Sequence, residues 1–186
     1  MTVAVAMDPV LLGGFIPARA SGSIDVIGAV PTILTPLTAT LLHGGLLHLG
    51  FNLLMLVWCG RQVELPLTPR YFALLYVLGA YGSALGQWLW SPSDQSVMIG
   101  ASGAISAVMG FYALVFSNQR VRAIGPISAT VVRVIWLAAA WIGVQILMGI
   151  GFSSGGSTLA VGAHIGGFLV GLAMARPLLW LRFRGA

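Results

Sequence analysis

Three short polar motifs lie near the starts of different long apolar stretches of this sequence. They are His48-x-x-x-Asn52, Gly100-Ala101-Ser102-Gly103 and Ala163-His164. A hydroxyl, imidazoles and a carboxamide are costly in hydrocarbon unless they work together, and polar groups within membrane spans mark function by default. The pattern therefore predicts an enzyme whose reactive groups lie inside a membrane.

Ser102 is the candidate nucleophile of this site. Its neighbours Gly100, Ala101 and Gly103 leave the hydroxyl unshielded and allow another backbone to approach. A helix that starts here would direct free amides and its positive dipole end at a developing oxyanion. A serine hydroxyl needs an adjacent base, and His164 is the best candidate for it.

His48 and Asn52 are the candidate oxyanion-binding residues. They are four apart, so they share one face of a helix. Each could donate a hydrogen bond worth about 2.7–4 kcal/mol in a water-poor site. His43 lies five residues before His48 and is the weaker candidate. Other interpretations stay open: Ser102 as a small contact residue, His164 as a satisfied interior histidine, and the His48–Asn52 pair as a link between two helices.

The composition identifies the class of protein. Of 186 residues, 58% are hydrophobic and only 7% are charged, which is too few charges to clothe a water-soluble globule. The net charge of +5 does not indicate nucleic-acid binding, because the arginines lie singly between apolar runs. The single cysteine, Cys59, lies deep in an apolar run and is expected to be a packing residue. The sequence predicts an integral membrane protein.

Five apolar runs are long enough to form spanning helices, which need roughly 20 residues. They are Thr38–Gly60, Tyr71–Trp90, Val97–Phe116, Ile127–Ile150 and Leu159–Ala175, separated by stretches rich in turn-forming residues. We expect an N-terminal segment and outer loop at 1–37, a catalytic membrane domain at 38–176 and a basic cytoplasmic tail at 177–186. Residues 1–17 are interrupted by Asp8 and Pro9, so they are predicted to be interfacial or partly inserted.

The arginines also predict the orientation of the chain. The first and third connections and the tail are basic, whereas the second and fourth contain no Arg. The positive-inside rule then places the basic connections and the C-terminus in the cytoplasm. Runs one, three and five therefore start at the outer face, and His48, Ser102 and His164 lie within roughly ten residues of those starts. We expect the three side chains to meet in the outer half of the membrane.

Acidic residues do not accompany the candidate pair. No Asp or Glu occurs in runs three, four or five, so Ser102 and His164 would form a dyad without the acid of the familiar triad. Small residues in Gly103-x-x-x-Ala107 and Gly167-x-x-x-Gly171 predict close helix packing.

At these residues the sequence resembles the rhomboid family of intramembrane serine proteases. The resemblance runs from about Ile16 to Met174. Its four motifs, in the family's order, are His43-Gly-Gly-Leu-Leu-His48-Leu-Gly-Phe-Asn52, Val63-Glu64, Gly100-Ala-Ser-Gly-Ala-Ile and Ala163-His164-Ile-Gly-Gly-Phe-Leu-Val-Gly171. It implies a rhomboid-like helix bundle, with His43, Glu64 and the small neighbours of Ser102 in supporting positions.

The resemblance also implies an activity. Ser102 would be the nucleophile, His164 the general base and then acid, and His48, Asn52 and the Ser102 amide the oxyanion hole. The substrates would be transmembrane proteins cleaved in or near their spans, with membrane lipids as surroundings and with no cofactor, metal or nucleic acid. The expected location is the bacterial cell membrane, with the site open to the outer side.

Two departures from the family pattern accompany this expectation. We expect the first of the family's six core helices to be missing or truncated, and Ser106 stands one turn after Ser102, where relatives often carry an aromatic ring. Both favour an alternative: a catalytically weak or inactive rhomboid-like factor that binds membrane proteins. A weaker alternative treats His43, His48 and His164 as metal ligands or a proton path, but no carboxylate or thiolate lies at their depth.

Overall fold

The computed structural model describes residues 2–3, 8–116, 121–152 and 160–184, and it is mostly helical. Its elements are β1 (Thr2–Val3), α1 (Pro9–Gly13), α2 (Pro17–Ala20), β2 (Asp25–Val26), α3 (Thr35–Thr38), α4 (Leu46–Trp90), α5 (Ser102–Val115), α6 (Ala129–Phe152) and α7 (Val161–Phe183), with 3₁₀ turns at Thr32–Leu34 and Ala39–Leu41. β1 and β2 form one short parallel pair in which Thr2 is opposite Asp25. The bundle of α4 to α7 carries the candidate site.

Helix α4 has two arms that are joined at Thr68. Thr68 has φ 70° and ψ 159°, which is not helical, and Pro69 follows it. A residue before proline is disfavoured in the α conformation, so the helix breaks here. The two arms, 46–67 and 69–90, are in contact near this break, where a methyl group added at Gly60 would lie 3.2 Å from the ring of Phe72.

Helices α4, α5 and α7 form the centre of the bundle, and α6 packs at its side. The core between them is apolar and fully buried at Leu75, Ile105, Val108 and Phe111. Burial of one such side chain contributes about 1.5–3 kcal/mol, so this core fixes how the three central helices lie against one another.

Several helix bounds differ from the sequence prediction. Run one was expected to start at Thr38, but α4 begins at Leu46 and continues through the predicted turn as far as Leu67. Run three was expected from Val97, but α5 begins at Ser102 itself. Run five was expected to end at Ala175, but α7 continues through Pro177 to Phe183, which includes most of the predicted tail.

The segment before α4 packs on the bundle. Phe15 and Ile16 are buried, and Phe15 pairs with Met98 in the segment that leads to α5, through backbone bonds of 3.0 and 2.8 Å. The Thr38 hydroxyl donates to the Gly13 carbonyl at 2.6 Å. Helix α1, where a truncated spanning helix was expected, has only five residues, or about 7.5 Å of length.

Large apolar side chains face outward along the bundle. Leu54 on α4, Trp136 on α6 and Leu169 on α7 are each more than half exposed. Within the described ranges, α4 and α7 are the helices that are long and apolar enough to cross a membrane by length and composition. Helix α5 has 14 residues, about 21 Å, which is shorter than a bilayer core. Two described helices, one of which has two arms, are thus long and apolar enough to cross a membrane. The five predicted spans are not confirmed by helix length.

Candidate active site

Ser102 is the first residue of α5, at the end of a sharply turned approach segment. Gly100 has φ 109°, a conformation that side-chain-bearing residues rarely adopt. The Gly100 amide donates to the Ala39 carbonyl at 2.9 Å. The segment before α4 therefore holds the turn that presents Ser102.

His164 lies in the first turn of α7, in contact with Ser102. Its Nε2 is 3.0 Å from Ser102 Oγ, which is hydrogen-bond distance, although the two residues are 62 apart in sequence. The His164 side chain is 4% exposed. Its Nδ1 is buried without a hydrogen-bond partner among the described residues. Among the described residues, the imidazole that contacts the Ser102 hydroxyl thus has no third group hydrogen-bonded behind it.

Small residues allow α5 and α7 to come this close. A methyl group added at Gly167 would collide with the Gly103 carbonyl oxygen, and one added at Gly171 would collide with the Ala107 carbonyl oxygen. The predicted close packing of these two motifs is confirmed. The contact between Ser102 and His164 thus depends on backbone-to-backbone packing one turn below it.

His48 and Asn52 lie beside the backbone that precedes Ser102. A methyl group on Gly100 would be 2.7 Å from His48 Nε2 and 3.8 Å from Asn52 Nδ2. Asn52 is 3% exposed, and its Nδ2 donates to the His48 carbonyl at 3.0 Å, which uses one of its two hydrogens. Both side chains thus lie close to the turn that precedes Ser102.

The His48 ring has a defined tautomer when it is neutral. The Gly44 amide donates to His48 Nδ1 at 3.3 Å, so Nδ1 is the acceptor and the proton resides on Nε2. Nε2 and Cε1 form the edge of the ring that lies against Gly100. His48 therefore carries a hydrogen-bond donor beside the turn at Gly100.

His43 contacts His48 and not the candidate nucleophile. The two rings meet edge to face with centroids 5.0 Å apart. Burial lowers the pKa of His43, opposed in part by a backbone hydrogen bond at Leu41, so the neutral form is favoured. His43 Nε2 is buried without a hydrogen-bond partner in the described part of the chain. Its place fits a support for the His48 ring.

Glu64 lies far from this group. It follows Asn52 by twelve residues on the same helical arm, which is about 18 Å along the axis. It lines a surface recess with Arg61, Thr68 and Pro69 at the turn between the arms. Glu64 therefore lies at the turn between the two arms of α4 and not beside Ser102, and its supporting role stays a prediction.

Two further side chains near the site were not found by sequence reasoning. Gln87 Oε1 accepts from the Ala163 amide at 3.2 Å and so binds the free N-terminal end of α7. Trp141 Nε1 donates to Ser106 Oγ at 2.6 Å. Neither residue has a spacing that relates it to the motifs, so no signal in the sequence marks it.

Comparisons with known proteins agree with these motifs. A family model described as the rhomboid domain matches residues 31–181. Rhomboid protease GlpG of Yersinia pestis (strain Pestoides F) is 32% identical over 135 residues, which cover 72% of this chain and 44% of that protein. Rhomboid protease GlpG of Photorhabdus laumondii is 31% identical over 144 residues, covering 77% of this chain and 45% of that protein. RHOMBOID-like protein 4 of Arabidopsis thaliana is 30% identical over 144 residues, covering 77% and 33%. The chain spans less than half the length of these relatives.

Proposed function

The chain belongs to the rhomboid family, and from this membership and the contact between Ser102 and His164 we propose that it is an intramembrane serine endopeptidase. Its substrates would be membrane proteins, cleaved in or near a transmembrane segment. The observation that carries the proposal is the 3.0 Å distance between Ser102 Oγ and His164 Nε2. A serine hydroxyl at this distance from a buried imidazole is the arrangement that activates a serine.

The first half of the reaction acylates Ser102. His164 Nε2 takes the hydroxyl proton as Oγ attacks the scissile carbonyl, and a tetrahedral intermediate forms. The protonated imidazole then gives this proton to the leaving amine, and the carbon–nitrogen bond breaks. The second half repeats these steps with water, which attacks the acyl group and returns the proton to Ser102 through His164.

The oxyanion of the intermediate would be bound by His48, Asn52 and the Ser102 amide. Supporting this role, His48 Nε2 and Asn52 Nδ2 both lie near Gly100, two residues before the nucleophile. Ser102 is the first residue of a helix, so its N–H is one of those that have no partner within the helix. Preorganised donors of this kind are each worth about 2.7–4 kcal/mol of transition-state stabilisation.

We further propose that both arms of α4 cross the membrane together with α6 and α7, and that α5 crosses it together with the non-helical residues 97–101 that precede it. The arms, 46–67 and 69–90, are each about 33 Å long, which matches a bilayer core. The chain would carry its C-terminus in the cytoplasm, because the arginine-rich connections lie at that end. The Ser102 site would then open toward the outer side of the bacterial cell membrane.

The test uses a fluorophosphonate probe on the purified full chain in detergent. The wild-type protein should be labelled, and Ser102→Ala should lose the label. Ser93→Ala, which removes an exposed serine nine residues earlier, is the matched control and should be labelled as the wild type is. Labelling that persists in Ser102→Ala would refute the assignment of the nucleophile.

A second measurement follows cleavage of a transmembrane substrate in proteoliposomes. His164→Ala should abolish cleavage while circular dichroism shows an intact helical bundle. Wild-type protein that binds such a substrate without cleaving it would favour the inactive binding factor over the protease.

A further inference from the structure

A chain of buried hydrogen bonds joins α6 to the carbonyl of Ser102. The indole Nε1 of Trp141 donates to Ser106 Oγ at 2.6 Å. The Ser106 hydroxyl in turn donates to the Ser102 carbonyl oxygen at 2.8 Å. A hydroxyl that accepts one bond is polarised toward donating the next, so the two bonds support each other.

The burial of these groups sets them apart from their surroundings. Ser106 is 0% exposed and Trp141 is 3% exposed. On the same helix Trp136 is 66% exposed, as expected for a residue that faces lipid. Among the α6 side chains that the structure describes, Trp141 and Val132 are the buried ones. Of these two, Trp141 belongs to the main apolar core, and it contacts Ser106, one turn after Ser102.

The geometry points to Trp141 as a positioning residue for Ser102, acting through Ser106; this inference rests on the proposed protease function. The Ser102 carbonyl accepts the Ser106 hydroxyl, and hydroxyl bonds of this type to the preceding turn bend helices. These two hydrogen bonds, from Trp141 to Ser106 and from Ser106 to Ser102, are called the relay below. The relay therefore sets the tilt of the first turn of α5. That tilt directs the Ser102 hydroxyl toward His164 Nε2.

The relay is independent of the dyad itself. Trp141 and Ser106 exchange no proton with substrate, and the Ser106 hydroxyl is already used between the indole and the Ser102 carbonyl. Their loss is expected to change how often Ser102 lies in its reactive geometry, and not how substrate binds. A positioning role therefore lowers kcat and leaves KM almost unchanged.

The experiment is a double-mutant cycle on the full chain in proteoliposomes. Trp141→Phe keeps the ring and removes the N–H, and Ser106→Ala removes the hydroxyl. Each should lower kcat about three- to tenfold, with KM within about twofold of wild type. The double variant should be no slower than the slower single variant, because both changes break the same relay. Trp136→Phe, on the lipid-facing side of α6, should retain wild-type kcat.

A second readout reports the contact directly and keeps the inference testable if Trp141→Phe folds poorly. The indole N–H signal of Trp141, assigned in ¹⁵N-labelled protein by its loss in Trp141→Phe or in Trp141→Tyr, should shift upfield in Ser106→Ala. The rate of inactivation by the fluorophosphonate, normalised to folded protein, should fall in Ser106→Ala in parallel with kcat. This measurement needs no Trp141 variant.

Each outcome decides the inference. Wild-type labelling with unchanged kcat and inactivation rate in folded Ser106→Ala would overturn the positioning role and leave the protease proposal standing. Independent, multiplying losses in the double variant would overturn it as well, because they would show two separate contributions. Absence of labelling in the wild type would reject the protease and this inference together.

Discussion

Replacing Gly167 with alanine should separate the two helices that bring Ser102 and His164 into contact. The added methyl group would collide with the Gly103 carbonyl oxygen, which belongs to rigid helix backbone and cannot move aside alone. Ordinary van der Waals contact requires roughly 1 Å more space at this point. Helix α7 is therefore expected to shift away from α5 by about that amount.

The shift determines the size of the effect. Ser102 Oγ and His164 Nε2 are 3.0 Å apart, so an added separation of roughly 1 Å takes them beyond a useful hydrogen bond. A misplacement of this size costs about 100-fold in rate. Overpacking where Gly167 meets the Gly103 carbonyl should also lower the free energy of unfolding by about 1–3 kcal/mol.

The assay compares Gly167→Ala with Gly143→Ala. Gly143, on α6, has nothing within 4 Å of the position that a methyl group would take, so this variant should behave as wild type does. Single-turnover cleavage in proteoliposomes gives the rate, and thermal unfolding followed by circular dichroism gives the stability. Wild-type rate and stability in Gly167→Ala would refute the reasoning that the contact between the α5 and α7 backbones sets the distance from Ser102 Oγ to His164 Nε2.

Two further variants test the surroundings of the dyad. Asn52→Ala should lower kcat about 100-fold with little change in KM, because an oxyanion donor acts only in the transition state. Gln62→Ala, on the same arm, is the control. An unchanged kcat in Asn52→Ala would show that Asn52 is not part of the oxyanion hole. Burial lowers the pKa of His43 in the folded chain, so the unfolded chain binds a proton first and stability should fall as the pH drops below about 6.5. His43→Gln should lose that part of the dependence, measured as the difference in melting temperature between pH 8 and pH 5; an equal difference in both proteins would contradict it.

The residues of the candidate site were predicted from the sequence because they lie in local motifs. The four-residue spacing of His48 and Asn52 and the small neighbours of Ser102 identify the groups, and the resemblance to the rhomboid family that they carry is confirmed. Alternating arginines predicted that the starts of three runs share one end. The structure brings Ser102 and His164 from two of those starts to 3.0 Å.

The parts that escaped prediction depend on contacts between distant segments. Hydropathy alone favoured a helix from Val97, but the helix starts at Ser102 because Gly100 is held in its turn by Ala39, sixty-one residues earlier. Apolar periodicity also cannot mark which tryptophan of α6 faces inward, so the bond from Trp141 to Ser106 was not foreseen. Run five was predicted to end at Ala175, but α7 continues through Pro177 to Phe183.

The bond from the Gly100 amide to Ala39 has a consequence for how this protein can vary. The acceptor is a main-chain carbonyl, so Ala39 holds the turn at Gly100 through its backbone. Its side chain is 2% exposed, so a residue at this position need only be small enough to fit the buried space. Substitutions near Ala39 that preserve the backbone conformation should be tolerated. An insertion or deletion of one residue there should move the Ala39 carbonyl away from the Gly100 amide and so displace Ser102. Comparisons that score side-chain identity will therefore understate the importance of this stretch, and changes in its length will reveal it.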